Sequence, residues 1–580
     1  MSDLIEKEID FLLTLFDQEL SLKSANAIFE EKSIKDFFID ENEFRNFIKF
    51  LHSKKYLEID GKKQQISKQW GDVQTPLNLI NKIMKILTEK NFSPDIMIEP
   101  TFGIGNFILV AKNYFENVQL IYGIEINEEY KWFLGLKLLS TETQKNGNTT
   151  IKLISEDIFE HDFQNLLKCN TDKNFLILGN PPWITSSELS HINGNNIPNK
   201  KNIRNLPGIL ALTGKSNFDI SETILERLIS SFQKNAGKVA ILCKNIVIRN
   251  ILHNLIFTKY TIGNICSYEF DSKKEFGKTC NASLLLLDLN SKEEYGICKV
   301  YSLYSPNKIH RKFGWYNNHF VSNLDNYKKT CFLEGTSILE WRQGIKHDCV
   351  KILELEKVSN GILKNKLNEE IKLENELIFP YYKSSDIREF FVDKTNRWFL
   401  LTQKSLNEDI NLERNFPLAA QYLESKKEYF QKRKSSIYQK RSPFAIFGIG
   451  KYSFKPFKVA IASMYQQPIF SFIDSTGNKP ALFDDTCYYL GFDNYNEAVF
   501  ICSILNSEIN RAFLESIVFY DSQRIYNKEI LMRIELEKII AETSFENVLE
   551  IWEKYDFPKV DKITEKDYIE FKNNYLEKRD

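Results

Sequence analysis

Several features that would assign the chain to a familiar class are missing from its 580 residues. No apolar run approaches the roughly 20 residues that cross a membrane, and the longest, Ala282 to Leu289, fits a buried strand. The N-terminus lacks the basic and apolar regions of a secretory signal. None of the nine cysteines forms a Cys-x-x-Cys pair, so we expect reduced thiols, no disulfide framework and no metal site. We therefore expect a cytoplasmic protein that does not contact membranes.

An excess of charge is also missing, since the formal net charge is −1. Any surface that binds nucleic acid must therefore come from local clustering of cations. Such a cluster exists between Lys426 and Lys458, where ten Lys/Arg and one acid, Glu428, are interleaved with aromatic residues. A charge run is most often a solvated face, but this composition favours a surface that contacts phosphates.

The length exceeds what one core supports, and composition and pattern predict three regions. Residues 1–69 show helical periodicity followed by a hairpin signal at Asp60-Gly61, so a winged-helix-like module and a plain helical domain both fit. Residues 70–290 alternate strands and helices, which is typical of a doubly wound, Rossmann-like α/β domain. Residues 291–580 carry no second catalytic motif and are expected to form an α+β domain.

Acidic residues end three predicted strands of the α/β region. Glu99 ends the first strand, Glu125 ends the second about 20 residues beyond a glycine loop, and Asp157 ends the third. In such folds an acid at the second position accepts hydrogen bonds from ribose hydroxyls. The glycine loop, Thr101 to Phe107, has neither the three-glycine dinucleotide fingerprint nor a complete Walker motif. A nucleoside without a pyrophosphate is therefore the better predicted ligand.

The stretch Leu178-Gly179-Asn180-Pro181-Pro182-Trp183 follows a fourth apolar strand. Its two prolines fix the backbone and end the strand ladder. Asn180 is thus presented on a stiff turn at the carboxyl end of a strand, where open α/β sheets bind ligands. An amide beside a rigid turn and an aromatic ring suits a site that grips a planar base by its amino group. A plain strand-ending turn could have the same sequence, so the flanking motifs must decide between a base-binding turn and a structural one.

Taken in order, these motifs resemble those of S-adenosylmethionine-dependent DNA adenine-N6 methyltransferases with the gamma motif arrangement, as found in type II restriction-modification systems. The resemblance covers about 220 residues and rests on four segments: Gly71-Asp72-Val73-Gln74-Thr75-Pro76, the glycine loop after Glu99, Asn180-Pro181-Pro182-Trp183, and Phe276-Gly277-Lys278-Thr279-Cys280-Asn281-Ala282-Ser283. It implies S-adenosylmethionine as the cofactor and a flipped adenine as the target.

The resemblance also implies roles for individual residues. Thr75 would touch the methionine end of the cofactor, Glu99 its amino group, Glu125 its ribose and Asp157 the amino group of its adenine. The remaining cofactor residues implied are Thr101, Gly103, Gly105, Ile126, Ile158 and Asn180.

The catalytic group implied is the tetrapeptide Asn180, Pro181, Pro182 and Trp183. The side-chain carbonyl of Asn180 and the backbone carbonyl of Pro181 would accept N–H bonds from the target amine. Trp183 stands where the family more often has Tyr or Phe, and it would stack on the flipped base, with Phe276 also against that base.

Segments of residues 291–580 resemble the target-recognition region of these enzymes, which implies duplex DNA as a partner and a prokaryotic, nucleoid-associated location. The polar stretch from Ser186 to Lys215 is interpreted as a DNA-facing loop. The predicted DNA contacts, chosen for hydrogen-bonding capacity or charge, are Arg342, Gln343, Lys346, Lys432, Arg433, Lys434, Lys440 and Arg441.

Two other readings stay open. Similar Asn-Pro-Pro-aromatic turns occur in methyltransferases for RNA bases and for protein glutamine. A non-catalytic specificity subunit on a methyltransferase fold is the third reading, although intact Asn180 and the strand-terminal acids speak against it. The chain is expected to be a monomer or weak dimer, with a separate restriction endonuclease as a further candidate partner.

Overall fold

The computed structural model describes residues 74–128, 149–185, 219–405 and 411–576, except 91, 278, 360, 440, 476–478, 556 and 558–562, together with residues 130, 131, 134 and 138. The domain predicted at residues 1–69 lies outside the described residues. The chain divides into two compact units between Phe320 and Val321. Among the described residues, no helix is both long enough and apolar enough to cross a membrane.

Ten described strands of the first unit form one mixed sheet. They are β1 Ile96–Glu99, β2 Leu120–Glu125, β3 Thr150–Ser155, β4 Phe175–Gly179, β5 Gly237–Lys244, β6 Ile262–Asp271, β7 Asn281–Leu289, β8 Ile297–Ser302, β9 Ser305–Tyr316 and β10 His319–Val321. Their order is β10-β9-β8-β6-β7-β5-β4-β1-β2-β3. Strands β1 to β5 are parallel, and β7 is antiparallel to both of its neighbours. The chain order reverses between β1 and β4, which opens a crevice at their carboxyl ends.

Helices cover both faces of this sheet. The described helices are α1 Leu77–Glu89, α2 Asn106–Ala111, α3 Gln164–Cys169, α4 Ile220–Phe232, α5 Asn245–Thr258 and α6 Ser272–Phe276. The apolar stripe of α1, including Ile83 and Leu87, is buried in one core with Leu176 of β4. On β4 the preceding residue, Phe175, faces the other way, and its ring meets Phe232 of α4 at 5.3 Å. The α/β class and the doubly wound layering predicted from the sequence are therefore present.

The domain boundary predicted after residue 290 falls inside this sheet. Strand β8 pairs in parallel with β6, as at Cys298 beside Ile265, and β9 and β10 extend the same edge. The sequence pattern places a boundary near residue 290 because the strand–helix alternation stops there. In the structure β8 pairs with the edge of β6 that would otherwise be unpaired, and the compact unit ends at Phe320.

The second unit contains two sheets, ordered β11-β21-β18-β19-β16 and β14-β13-β12-β17-β15-β20. Their strands are β11 Arg342–Gln343, β12 Glu354–Ser359, β13 Ile362–Asn365, β14 Glu370–Ile371, β15 Ile378–Tyr382, β16 Phe391–Val392, β17 Arg397–Leu400, β18 Phe457–Ala462, β19 Phe470–Ile473, β20 Leu482–Phe483 and β21 Cys487–Phe492. Most pairings are antiparallel, as in the predicted α+β domain.

Helices of the second unit precede, separate and follow these strands. They are α7 Leu324–Thr330, α8 Val350–Leu353, α9 Leu412–Asn415, α10 Pro417–Ser425, α11 Lys427–Gln431, α12 Tyr495–Leu505, α13 Glu508–Ile517, α14 Lys528–Leu531, α15 Leu536–Glu542, α16 Phe545–Lys554 and α17 Glu565–Leu576. Four short 3-10 helices span Cys331–Leu333, Asn375–Leu377, Ser436–Tyr438 and Lys451–Phe454. Helix α12 is buried from Ala498 to Leu505, so it forms the centre of this unit.

Candidate active site at the carboxyl ends of strands β1 to β4

The polar residues predicted for the site lie at one edge of the sheet. Glu99 and Glu125 are the last residues of β1 and β2, Asp157 follows β3, and Asn180 directly follows β4. These strands are parallel neighbours on both sides of the reversal between β1 and β4. Open α/β sheets bind their ligands in this crevice.

Two glycines of the loop between β1 and α2 stand where a side chain would be strained and crowded. Gly103 and Gly105 have φ values of 53° and 77°, in the left-handed region that disfavours other residues. A Cβ on Gly105 would lie 2.3 Å from a methyl group of Leu134, and one on Gly103 would lie 2.8 Å from the side-chain amide of Gln74. The two glycines therefore allow the backbone to turn tightly before α2 begins at Asn106.

The carboxylate of Glu125 lies against this loop. Its Oε2 accepts a hydrogen bond from the backbone N–H of Gly103 at 2.9 Å, and its Oε1 accepts one from Asn127 at 3.0 Å. The residue is buried. These two bonds hold the carboxylate in one orientation at the end of β2.

Glu99 is a buried carboxylate that lacks a compensating charge. Only 2% of the residue is exposed, and its Oε2 has no hydrogen-bond partner among the described residues. Burial raises the pKa of Glu99 well above its ordinary value, a hydrogen bond from the Ile108 backbone opposes that rise, and the charge of Glu125 adds to it. An uncompensated acid at the end of a strand is costly to the free protein, so it suits a cationic ligand group.

The segment before α1 is fastened to the glycine loop. Asn106 donates from Nδ2 to the carbonyl of Thr75 at 3.0 Å, and the backbone N–H of Ile104 donates to Oε1 of Gln74 at 3.2 Å. Thr75 is buried by these contacts. Sequence reasoning included Thr75 but missed Gln74 and Asn106, although both lie inside the quoted motifs.

Two isoleucines follow the strand-terminal acids of β2 and β3. Ile126 is 51% exposed, whereas Ile158 is buried. Asp157 accepts a hydrogen bond from the backbone of Phe159 at 2.9 Å and is half-buried. An exposed isoleucine beside oriented carboxylates provides an apolar surface for a flat ligand at a polar edge.

The end of β4 brings Gly179, the residue before Asn180, next to Glu99. Gly179 has φ 151°, and a Cβ added there would lie 3.4 Å from Cγ of Glu99. Pro181 is buried, while Asn180 and Pro182 are half-buried. Asn180 therefore directly follows a residue that neighbours the buried acid.

Trp183 and Phe276 are 93 residues apart in the chain, but their rings meet. The centroids lie 5.3 Å apart with the planes at 77°, an edge-to-face contact. The indole Nε1 of Trp183 donates to the backbone carbonyl of Leu242 in β5 at 3.2 Å. The two aromatic residues predicted to hold a base are thus brought together, and the indole is fixed by its own hydrogen bond.

A relative that matches most of the chain shows its family. No family model matches the chain. The sequence is 37% identical over 473 residues to the type II methyltransferase M.NspV of Nostoc sp., which covers 81% of this chain and 96% of that protein. The chain belongs to the type II methyltransferases.

The fold of this type II methyltransferase is also found among solved structures. It is similar to the type IIL restriction-modification enzyme MmeI, whose structure is in complex with DNA, with a TM-score of 0.50 and 14% identity. The match covers 87% of this chain and 75% of that one. At this identity the likeness shows the fold alone.

The methyltransferase has a polar anchor that sequence reasoning missed. Asp219 forms a β-bridge with Thr185, caps α4 through Ser221, and accepts a hydrogen bond from Lys244 at 2.7 Å. The β-bridge holds Thr185 and Asp219 together, the described residues on either side of residues 186–218. The predicted DNA-facing loop, Ser186 to Lys215, lies outside the described residues. Asp219 followed by Ser221 and an apolar helix is a capping signature that could have revealed this anchor.

The predicted DNA contacts of the methyltransferase lie in the second unit, and most reach the surface. Lys432, Lys434, Arg441 and Gln343 are exposed, and Arg342 and Lys346 are partly exposed. Some of them already have partners in the protein: Lys432 pairs with Glu428, Lys346 with Asp348, Arg342 with Glu340, and Gln343 donates to the carbonyl of Asp485. Lys440 lies outside the described residues.

Arg433 differs from this set. Its guanidinium donates to the backbone carbonyls of Phe430, His347, Ala445 and Pro443 at 2.7–3.3 Å, and lies 3.7 Å from the ring centroid of Tyr438. Burial lowers the pKa of Arg433. The prediction of a DNA contact treated every cation of the run alike, but this one holds its own loop together.

Proposed function

We propose that this type II methyltransferase transfers a methyl group from S-adenosylmethionine to the N6 amino group of an adenine flipped out of duplex DNA. The observation that carries the proposal is that the Asn180-Pro181-Pro182-Trp183 turn directly follows Gly179, which lies next to the buried Glu99 at the reversal of the sheet. A cofactor site and an amine-binding turn would therefore share one crevice, and the resemblance of the motifs to the gamma arrangement supports this.

The residues of the crevice fit S-adenosylmethionine, which supplies an electrophilic methyl group when bound. The unpartnered Oε2 of Glu99 would accept a hydrogen bond from the cofactor's ammonium group and gain the missing charge partner. Glu125, oriented by Gly103, would accept the ribose hydroxyls. The exposed side chain of Ile126 would pack on the adenine with Ile158, and Asp157 would accept its amino group. Thr75 and Thr101 would line the methionine end.

Asn180 and Pro181 would activate the target amine. The exocyclic nitrogen of adenine is a poor nucleophile because its lone pair is delocalised into the ring. Two carbonyl acceptors, the side chain of Asn180 and the backbone of Pro181, would draw its N–H groups out of the ring plane and free the lone pair. Pro182 keeps the turn rigid, so the main catalytic contributions are positioning and carbonyl dipoles directed at the developing positive charge.

Trp183 and Phe276 would hold the extruded base. An adenine inside a duplex cannot reach the crevice, so it must leave the stack. The indole face of Trp183, fixed by the bond to Leu242, would replace the lost stacking, worth about 1–3 kcal/mol per base. Phe276 meets the indole edge-to-face and would contact the same base.

Duplex DNA as the substrate is supported by the relatives and by the surface of the second unit. M.NspV is a type II methyltransferase, and MmeI is a restriction-modification enzyme seen in complex with DNA. The exposed Lys432, Lys434 and Arg441 would contact phosphates without reading sequence. In a restriction-modification system the partner would be a separate endonuclease that recognises the same site, with this chain acting as a monomer or weak dimer.

The test is methyl transfer from labelled S-adenosylmethionine to duplex DNA, RNA and peptide, with methylated adenines mapped by sequencing in a host that expresses this chain alone. We expect adenine methylation in duplex DNA at one sequence. Asn180→Ala should keep cofactor affinity and lose at least about 100-fold in turnover, the scale of one positioned electrostatic group. Modification of RNA or glutamine, or wild-type turnover in Asn180→Ala, would overturn the proposal.

A further inference from the structure

The position of Phe276 depends on α6, a helix of five residues, Ser272–Phe276. A helix this short has little stability of its own. Phe276 is its last residue, and the chain then leaves through Gly277 in the left-handed conformation. Contacts from outside the helix must therefore decide where the ring of Phe276 lies.

Local contacts shape the loop that contains α6. Asp271 caps the helix by accepting hydrogen bonds from the backbone of Lys273 and Lys274 at 3.0 and 3.1 Å. Ser272 Oγ accepts from the Cys280 N–H at 2.9 Å and donates to the Cys280 carbonyl at 2.5 Å. These bonds close the loop on itself, but they do not fix it to the rest of the site.

Glu275, the residue before Phe276, supplies the long-range connection. Its side chain is only 9% exposed, and its Oε1 accepts hydrogen bonds from Lys82 Nζ at 3.2 Å and from the hydroxyl of Tyr304 at 3.0 Å. The ammonium of Lys82 also lies 4.8 Å from the ring centroid of Tyr304. Three elements distant in sequence therefore meet at one carboxylate.

The partners of Glu275 come from opposite ends of the domain. Lys82 belongs to α1, which begins at Leu77, directly after the Thr75-Pro76 segment of the cofactor site. Tyr304 lies in the turn between β8 and β9, in the part of the sheet beyond residue 290. The carboxylate of Glu275 thus links the cofactor side of the crevice to the aromatic side.

We propose that Lys82, Glu275 and Tyr304 form a positioning cluster that holds Phe276 edge-to-face with Trp183, so that the site is ordered before the target base arrives. This inference rests on the proposed function, because it gives Phe276 and Trp183 the flipped base as their ligand. Residues that fix such a contact lower the ordering cost at the moment of binding. None of the three residues belongs to the proposed cofactor or base site, so they position Phe276 and are not catalytic residues.

The experiment compares Glu275→Gln and Tyr304→Phe with wild type on duplex DNA carrying 2-aminopurine at the adenine that wild type methylates. In both variants we expect unchanged affinity for S-adenosylmethionine, weaker 2-aminopurine fluorescence at saturating DNA, and single-turnover methylation slowed about 10- to 100-fold. The double variant should lose no more than Glu275→Gln alone, since both changes break one cluster. Lys82→Arg should restore most of the signal that Lys82→Met loses.

Glu269→Gln is the matched control, because Glu269 pairs with Arg311 of β9 at 3.1 Å and not with α1 or α6. It should leave the fluorescence and the rate unchanged. Full 2-aminopurine fluorescence and wild-type rates in Glu275→Gln would overturn the proposed role of the cluster. An equal loss of fluorescence and rate in Glu269→Gln would overturn it as well. If wild type itself methylates no adenine in DNA, the proposed function fails instead, which separates the two outcomes.

Discussion

Replacing Glu99 by glutamine should stabilise the free protein and weaken its binding of S-adenosylmethionine. In the free protein burial raises the pKa of Glu99, so ionising this residue costs more in the folded state than in the unfolded state. Wild type should therefore lose stability as the pH rises from the ordinary carboxyl pKa, about 4.3, through the raised folded-state pKa. Glu99→Gln carries no charge, so this loss should be absent and the free variant should be the more stable protein at neutral and alkaline pH.

S-adenosylmethionine should stabilise the wild type more than the variant. Truncating one partner of a buried charge pair costs about 2–5 kcal/mol, and the lower figure corresponds to about 30-fold in Kd. At a cofactor concentration of about 100 times the wild-type Kd, the stabilisation should fall from about 2.7 to about 0.9 kcal/mol. For a unit of 320 residues, with an unfolding entropy of about 2.1 cal/mol/K per residue, that changes the shift in Tm from about 4 °C to about 1.3 °C. Wild-type affinity should also rise with pH, because binding favours ionised Glu99, whereas the variant should show no such rise.

The assay is thermal unfolding and calorimetric titration with S-adenosylmethionine between about pH 5 and pH 9. Glu222→Gln is the control, since Glu222 is another buried acid of the same unit, but its Oε2 accepts a hydrogen bond from Asn250 at 2.7 Å. It should leave cofactor affinity and its pH dependence unchanged. Wild-type affinity with the same pH profile in Glu99→Gln would refute the assignment of Glu99 to the ammonium group.

Three further predictions concern a glycine of the loop after β1, an arginine of the basic run and a buried lysine. Gly105→Ala should lower Tm and cofactor affinity. Gly361 also has a left-handed φ, 79°, but open space around it, so Gly361→Ala should lower the free energy of unfolding only by the dihedral strain of about 1 kcal/mol. Equal losses of stability in the two variants would exclude crowding by Leu134. Arg433→Ala should lower the free energy of unfolding in urea titrations by about 2–4 kcal/mol, because charged hydrogen bonds are lost. Lys434→Ala should leave that free energy unchanged and reduce the salt slope of DNA binding by about one. Burial lowers the pKa of Lys458 to about 7, so wild-type stability should rise with pH from about 7 toward the ordinary lysine pKa near 10.4. In urea titrations the stability of Lys458→Met should not rise over this pH range. Parallel profiles of stability against pH in wild type and variant would contradict the lowered pKa of Lys458.

The strand-terminal positions of the site could be predicted from sequence because each follows an apolar run. The positions of Glu99, Glu125 and Asn180 are predicted by local signals, namely a buried strand followed by glycine or proline. Because their strands are parallel neighbours in one sheet, the three residues lie at the same edge. Trp183 and Phe276 required the family resemblance, since no local pattern says that two rings 93 residues apart will meet.

Other features depend on contacts that a linear reading does not contain. Glu275, Lys82 and Tyr304 look like ordinary surface residues of two helices and a turn, and only the packing of α6 brings them together. Arg433 stands in a basic run that also contains exposed cations, and its burial follows from the path of the loop around it. The strands after residue 290 extend the first sheet because β8 pairs with the edge of β6. The sequence does not show which strand lies at an edge.

The absence of a side chain at Gly179 has a consequence for engineering this enzyme. A Cβ added at position 179 would lie 3.4 Å from Cγ of Glu99, so even the smallest side chain there would touch the acid at the end of β1. A larger side chain at position 179 will therefore press on Glu99. If Glu99 holds the methyl donor as proposed, variants enlarged at position 179 should be screened for cofactor affinity as well as for turnover.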